Sequence, residues 1–413
     1  MINRPVPHAS QPTPLLPGEP ATRLEGRSLT AGVLLLLAAL AALGALATNI
    51  ILPAFPSIGE DLRVSSRDLA ATLSSFFVAF ALGQLFVGPL SDRFGRQRLV
   101  LTGLATFIVG SMVCAMASTL PQLIGGRVIQ ALGVCATSVL SRAIARDLFE
   151  GQELARALSL TMVAMAAAPG FSPLLGSALD SSFGWRSTFY VISALALVLA
   201  VVYITRLGET HAPDRRSALS LGGVAAGYKQ LVFDRRLMAP ALSVSLVIGG
   251  LYAFFSMAPA ILITGFRLSP LAFGLFFAST TFVVFGSGLL APRLARRWGP
   301  VVTARAGVAV ALAGSAAMLV GGLEFVTFSV SLTIFLFGMG IFNPLGTAIA
   351  LQPFALQAGA ASALLGFLQM GCAALAITVG GMLSLPPHTA LGVVLLASLA
   401  ASSLCFWSMR LPR

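Results

Sequence analysis

The chain has 413 residues, of which 57% are hydrophobic and only 10% charged, and its formal net charge is +12. A soluble domain carries about a quarter of its residues charged, so water is excluded as the main solvent. The positive balance does not mark a nucleic-acid binder, because the arginines sit in short patches between apolar runs and form no continuous basic face.

In chain order, residues 1–28 are rich in Pro, Ala and polar side chains and read as a disordered tail. They lack the early apolar stretch of a cleaved signal peptide, and the first apolar run is too long to be one. Twelve apolar runs of near-spanning length follow, at 29–53, 68–90, 99–118, 121–141, 157–179, 186–205, 238–262, 269–291, 301–321, 326–350, 359–384 and 388–408. They are continuously apolar and do not alternate, which predicts helices and not barrel strands. The expected fold class is an all-α membrane protein with twelve transmembrane helices in two six-helix bundles. The bundles are expected over 29–205 and 237–409, joined by a polar linker at 206–236. Cys114, Cys135, Cys372 and Cys405 all fall inside apolar runs and read as small buried side chains without disulfides.

Arginine placement sets the orientation. One set of loops holds Arg93, Arg96, Arg98, Arg142, Arg146, Arg156, Arg206, Arg215, Arg216, Lys229, Arg235, Arg236, Arg293, Arg296, Arg297 and Arg305, while the opposite loops hold only Arg63, Arg67, Arg186 and Arg267. Basic residues stay on the cytoplasmic side during insertion. Both termini and the linker are therefore expected in the cytoplasm, with the chain multi-pass in a bacterial inner membrane. The two halves also resemble each other. Residues 88–95 read Gly-Pro-Leu-Ser-Asp-Arg-Phe-Gly and residues 292–299 read Pro-Arg-Leu-Ala-Arg-Arg-Trp-Gly, each just before another apolar run. Repeats of six spans are a transporter architecture.

Three segments carry chemistry. In the loop after span 2, Gly88 allows close helix approach, Asp92 can pair with an arginine or a helix end, Gly95 permits a tight turn, and Arg93 and Arg96 hold the loop at the membrane face. In span 4, Arg127 is a charge inside an apolar run, a costly placement that needs a partner or a water-filled cavity, with Gln130 one turn along on the same face. In span 5, Pro169, Gly170, Pro173 and Gly176 permit close contact and bending.

These segments resemble the signatures of the major facilitator superfamily. Residues 88–98 are similar to its loop 2–3 pattern G-x-L-a-D-r-x-G-r-k, residues 126–133 to its span 4 arginine motif, and residues 164–176 to a degraded form of its span 5 antiporter motif. Thr48-Asn49-Ile-Ile-Leu-Pro-Ala-Phe-Pro56 resembles the end of span 1 in Bcr/CflA drug-efflux transporters. Arg142 to Phe149 resembles their segment after span 4, and Ala360 to Gln369 their span 11. The resemblance implies export of small amphipathic molecules by proton-coupled alternating access. It implies a coupling centre at Asn49, Arg127 and Gln130, and a gate at Gly88, Asp92, Arg93, Gly95, Arg96, Arg142 and Arg146. Met162, Met165, Tyr252, Phe255, Met257, Phe342 and Gln369 lie in spans expected to line the substrate cavity.

One departure bears on coupling. The related pattern has an aspartate where this chain has Asn49, and asparagine cannot titrate. None of the fourteen acidic residues falls in a membrane interior by these spans. The alternative is therefore an importer, or a dedicated exporter or uniporter of one metabolite, not coupled to protons. His8 and His211 lie outside the spans and His388 stands at the very start of the last one, by the preceding loop, and there is neither a metal-ligand cluster nor a phosphate-binding Gly-Lys loop. No catalytic residue, cofactor or metal is expected. The expected partners are a small-molecule substrate, protons as coupling ion and the lipid bilayer, with no nucleic acid and a monomeric chain.

Overall fold

The computed structural model describes residues 31–211, 216, 221–322 and 324–409, so the expected tail at 1–28 lies outside the described residues. Among the described residues twelve helices are long and apolar enough to cross a membrane, and there is no strand. The first six spans are α1 (Ala31–Asn49) continued by α2 (Phe55–Leu62), α3 (Ser66–Phe94), α4 (Arg96–Ala115), α5 (Leu120–Leu148), α6 (Gly151–Phe183) and α7 (Arg186–Arg206). The connecting segment, expected to be a polar linker, contains a further helix, α8 (Leu221–Phe233). The second six are α9 (Arg235–Ala258), α10 (Pro270–Trp298), α11 (Pro300–Val320), α12 (Phe325–Leu351), α13 (Ala358–Met382) and α14 (Pro387–Trp407).

Several helices run longer than their apolar runs. The fifth, expected over 157–179, spans Gly151–Phe183, and the second, expected over 68–90, spans Ser66–Phe94. Side-chain caps fix the starts of α3 and α10. Ser65 accepts from the Asp68 backbone N–H while the Asp68 carboxylate accepts from Ser65, a capping box that starts α3. Ser269 accepts from the Ala272 N–H, and Pro270 occupies the first turn of α10.

The internal repeat is visible in the backbone. Gly95 closes α3 with φ +92° and donates to Ser91 O at 2.9 Å, and Gly299 closes α10 with φ +83° and donates to Ala295 O at 2.9 Å. Both angles lie where only glycine is unstrained. Each glycine leads into the next span of its half. The following pairs pack alike. Gly103 and Gly110 of α4 bring its backbone against Gly133, Gly126 and Gln130 of α5, and Gly307 and Gly314 of α11 do the same against Gly338 and Phe335 of α12. Without a hydrophobic driving force between helices in lipid, such small-residue contacts are what let backbones approach.

The two bundles meet along two helix pairs, α3 with α13 and α6 with α10. Their connecting segment defines a linker end, and the opposite end is distal. At the distal end the first span of each half breaks at a proline. A 3-10 turn over Leu52–Ala54 follows α1, and a π-helical turn over Pro259–Gly265 follows α9. Proline lacks the N–H that would continue the helical ladder. The two breaks touch, and Leu52, Phe55, Ile58, Ile261 and Leu262 are buried there.

Candidate functional site

Arg127 is fully buried among four helices of the first bundle. Its Nη1 donates to Ala47 O of α1 at 3.0 Å and to Gln130 Oε1 at 2.5 Å. Gln130 Nε2 in turn donates to Ser111 Oγ of α4 at 2.7 Å, and that hydroxyl donates to Phe107 O at 2.8 Å. The guanidinium carbon lies 4.3 Å from the centre of the Phe76 ring of α3. A desolvated cation over an aromatic face gains about 2 kcal/mol. No carboxylate pairs with Arg127 among the described residues, and its Nε and Nη2 have no hydrogen-bond partner there. The site therefore compensates a buried charge with a carbonyl, an amide and a ring. This differs from an arginine projecting into an open cavity, because the guanidinium is fully buried against the Ala47 carbonyl of α1 and the Phe76 ring of α3.

Asn49 is also buried, but its Nδ2 turns back to Ala45 O at 2.8 Å and its Oδ1 has no partner among the described residues. Asn49 and Arg127 approach through span 1, not through a shared hydrogen bond.

From Phe76 a row of rings crosses to the second bundle. Phe76 meets Phe77 edge to face at 5.8 Å, Phe77 meets Tyr252 of α9 at 4.4 Å, Tyr252 meets Phe255 at 5.5 Å, and Phe255 meets Phe277 of α10 at 5.5 Å. Tyr252 and Phe255 are thus linked to Arg127 only through the intervening Phe76 and Phe77 rings, and Met257 is buried beside Gly380 of α13. Phe76 and Phe77 were missed in the sequence because a phenylalanine pair in an apolar run carries no signal by itself. Other expected cavity residues lie elsewhere. Phe342 is fully buried within the second bundle, edge to face with Phe406 at 5.3 Å and against Gly307 and Gly346, so it packs α12 on α11 and α14. Met162 is 64% exposed, Met165 lies 3.9 Å from Arg142 Nη1, and Gln369 is half-buried on α13.

The gate segment forms one charge cluster. Arg96 is buried, and its Nη1 pairs with Asp92 at 2.6 Å and its Nε with Asp147 of α5 at 3.0 Å; Nη1 also donates to Ser91 Oγ. Glu209, beyond α7, accepts from the Arg96 backbone N–H at 2.9 Å and caps α4. Asp92 thus joins Arg96 and not Arg142 or Arg146, as four-residue spacing across the Gly95 turn brings Arg96 closest. Arg146 is exposed, and Arg93 lies 5.1 Å from the Phe94 ring. Gly88 does not serve close approach, since a side chain there would meet open space. The close contacts between bundles lie at other glycines. Gly366 of α13 faces the Gln84 amide of α3, Gly170 of α6 faces Thr281 of α10, and Gly274 of α10 faces Leu174. Nearer the distal end, Ser177 Oγ donates to Pro270 O at 2.7 Å, and Arg67 Nη2 to Leu383 O at 3.2 Å.

Twelve spans in two bundles that share two glycine-lined seams, with a charged polar cluster buried beside one of them, define a polytopic membrane transporter. The chain belongs to the Major Facilitator Superfamily, whose family model matches residues 37–381. It is 32% identical over 391 residues to the uncharacterized MFS-type transporter YdgK of Bacillus subtilis (strain 168), covering 92% of this chain and 95% of that one. It is 28% identical over 327 residues to a bicyclomycin resistance protein homolog of Haemophilus influenzae (strain ATCC 51907 / DSM 11121 / KW20 / Rd), covering 78% and 82%. The Bcr/CflA-like resemblance of the motifs is therefore shared along most of the chain. Its fold is similar to that of a D-xylose-proton symporter, with TM-score 0.70 at 16% identity over 91% of this chain and 97% of that one.

Proposed function

We propose that this transporter exports small amphipathic molecules by alternating access across a bacterial inner membrane, with both termini in the cytoplasm. The observation that carries this reading is the ring row from Phe76 to Phe277, which lies across the line where the halves meet. Aromatic faces bind varied apolar ligands with little demand on shape. The row also connects to the buried Arg127 cluster, so a ligand entering between the halves meets apolar rings first and a polar centre at one end. Rocking about the α3–α13 and α6–α10 seams would alternately expose this row to the two sides. The degraded span 5 motif, with Gly170 and Gly176 in close contacts, supports export over uptake.

Proton coupling is the second part of the reading, and Asn49 and Arg127 shape it. With Asn49 in span 1 and no carboxylate pairing with Arg127 among the described residues, the buried part of span 1 offers no proton carrier, its carboxylates Glu60 and Asp61 being exposed at the distal end. A coupled mechanism then needs a carboxylate nearer a membrane face, and a uniporter needs none. Reconstituted protein with an imposed pH gradient, given a panel of neutral, anionic and cationic amphipaths, tests both parts. Drug flux above protein-free vesicles is expected. Its absence for the whole panel would remove the export reading, and flux indifferent to the gradient would remove coupling alone.

A further inference from the structure

The helix α8 presents a stripe that the transport reading does not use. Ala226, Lys229, Gln230 and Phe233 recur at helical spacing and, with Asp234 and Arg235, line an open hollow of about 590 Å³. The opposite face of α8 is committed to the protein. Leu231 is buried in a cluster with Leu237, Ala361 and Leu364, and Tyr228 Oη donates to Leu85 O of α3 at 3.1 Å. The helix is therefore held in place and its stripe is turned away from the fold.

The chemistry of the stripe is specific. Phe233 is 77% exposed and Val232 is 41% exposed, a large apolar exposure for a segment outside the spans. Lys229 and Arg235 are exposed and have no ion-pair or hydrogen-bond partner among the described residues. The acidic residue in the hollow is already engaged. Asp234 caps α9 through the Arg236 N–H at 2.9 Å and pairs with the Arg236 guanidinium at 2.9 Å, and that pairing holds its carboxyl below the usual carboxylate range. Two free cationic groups thus remain beside an exposed aromatic ring. Arg235 is also the first residue of the spanning helix α9, so the hollow sits where the membrane surface begins.

The geometry points to an anionic-phospholipid site: Lys229 and Arg235 bind the headgroup phosphate of one lipid, Gln230 hydrogen-bonds the same headgroup, and Phe233 with Val232 lies in the boundary between headgroups and acyl chains. Charge complementarity selects an anionic over a zwitterionic headgroup, and the aromatic ring favours a lipid over a free phosphate. Because α8 also grips α3 through Tyr228 and packs on α13, a lipid on its outer face holds the helix against the α3–α13 seam.

The test uses the delipidated full-length protein in detergent, offered phosphatidylglycerol and phosphatidylcholine of the same acyl chains, with bound lipids counted by native mass spectrometry. Phosphatidylglycerol is expected to be retained preferentially. Each basic group near an anionic headgroup contributes about fivefold in affinity, so K229Q and R235Q singly should each lower phosphatidylglycerol retention about fivefold. K229Q/R235Q should bring it to the phosphatidylcholine level. R296Q/R297Q, which removes two exposed charges elsewhere, should leave the preference intact, and the melting temperature of each variant reports whether it is folded. A preference absent from the parent, or persisting in K229Q/R235Q, overturns the site. So does equal loss in R296Q/R297Q, which would mean mere charge counting. Displacement of the lipid by inorganic phosphate with no effect of Phe233→Ser would identify a phosphate site and overturn the lipid assignment.

Discussion

Arg127 is tied to span 1 by the carbonyl of Ala47, 3.0 Å from its Nη1, and not by the side chain of Asn49 two residues further on. A carboxylate at position 49 would therefore be a new charge beside a cation that now has none. Asn49→Asp is expected to introduce pH dependence of transport. As pH rises through the pKa of the new carboxyl, the charged form gains its pairing with Arg127, and that stabilisation is lost again as pH falls. A pH–rate profile of the variant matching the parent's would exclude position 49 from the coupling path.

The same cation, which has dipolar partners but no carboxylate counter-ion among the described residues, sets a charge preference. A buried positive centre at the end of the aromatic row repels cations and attracts anions. Neutral and anionic amphipaths should be exported in preference to lipophilic cations of similar size. Competition assays across a panel sorted by charge would measure this, and robust export of a permanent cation by the unmodified protein would refute it.

At the linker end, Arg96 pairs with both Asp92 and Asp147 while its backbone N–H binds Glu209. The Asp92 side chain is 47% exposed whereas that of Arg96 is 9% exposed. Asp92→Asn should cost about 1 kcal/mol of stability, since half-exposed ion pairs are screened, and should reduce transport without abolishing expression. Arg96→Ala leaves the Asp147 carboxylate without its charged partner and should cost about 3 kcal/mol. Thermal unfolding in detergent should rank the variants in that order, and full transport in Asp92→Asn would remove the gating role of this residue.

At the α3–α13 seam the Gln84 amide sits directly against Gly366. A methyl group at Gly366 would fall onto the Gln84 amide, so Gly366→Ala should impair transport while expression persists. Gln84→Ala in the same chain should restore much of the loss, because the clashing group is gone. Absence of rescue would mean that Gly366 acts through another neighbour.

The sequence by itself determined the environment of this protein and its span plan. Continuous apolar runs report the solvent they are buried in, and the motifs around Asp92 and Arg127 are local strings that need no folding to be read. The repeat of residues 88–95 at 292–299 was legible too, whereas the matching roles of Gly103 and Gly110 and of Gly307 and Gly314 appeared only with their partners from the next helix. Tertiary structure alone decided what each polar group meets. It enclosed Arg127 among four helices, gave Asp92 to Arg96, turned Phe342 into its own bundle and joined Phe77 to Tyr252 across the halves. In a chain where lipid-facing and protein-facing positions are equally apolar, hydropathy does not say which way a helix is rotated. That rotation comes only from packing against its neighbours.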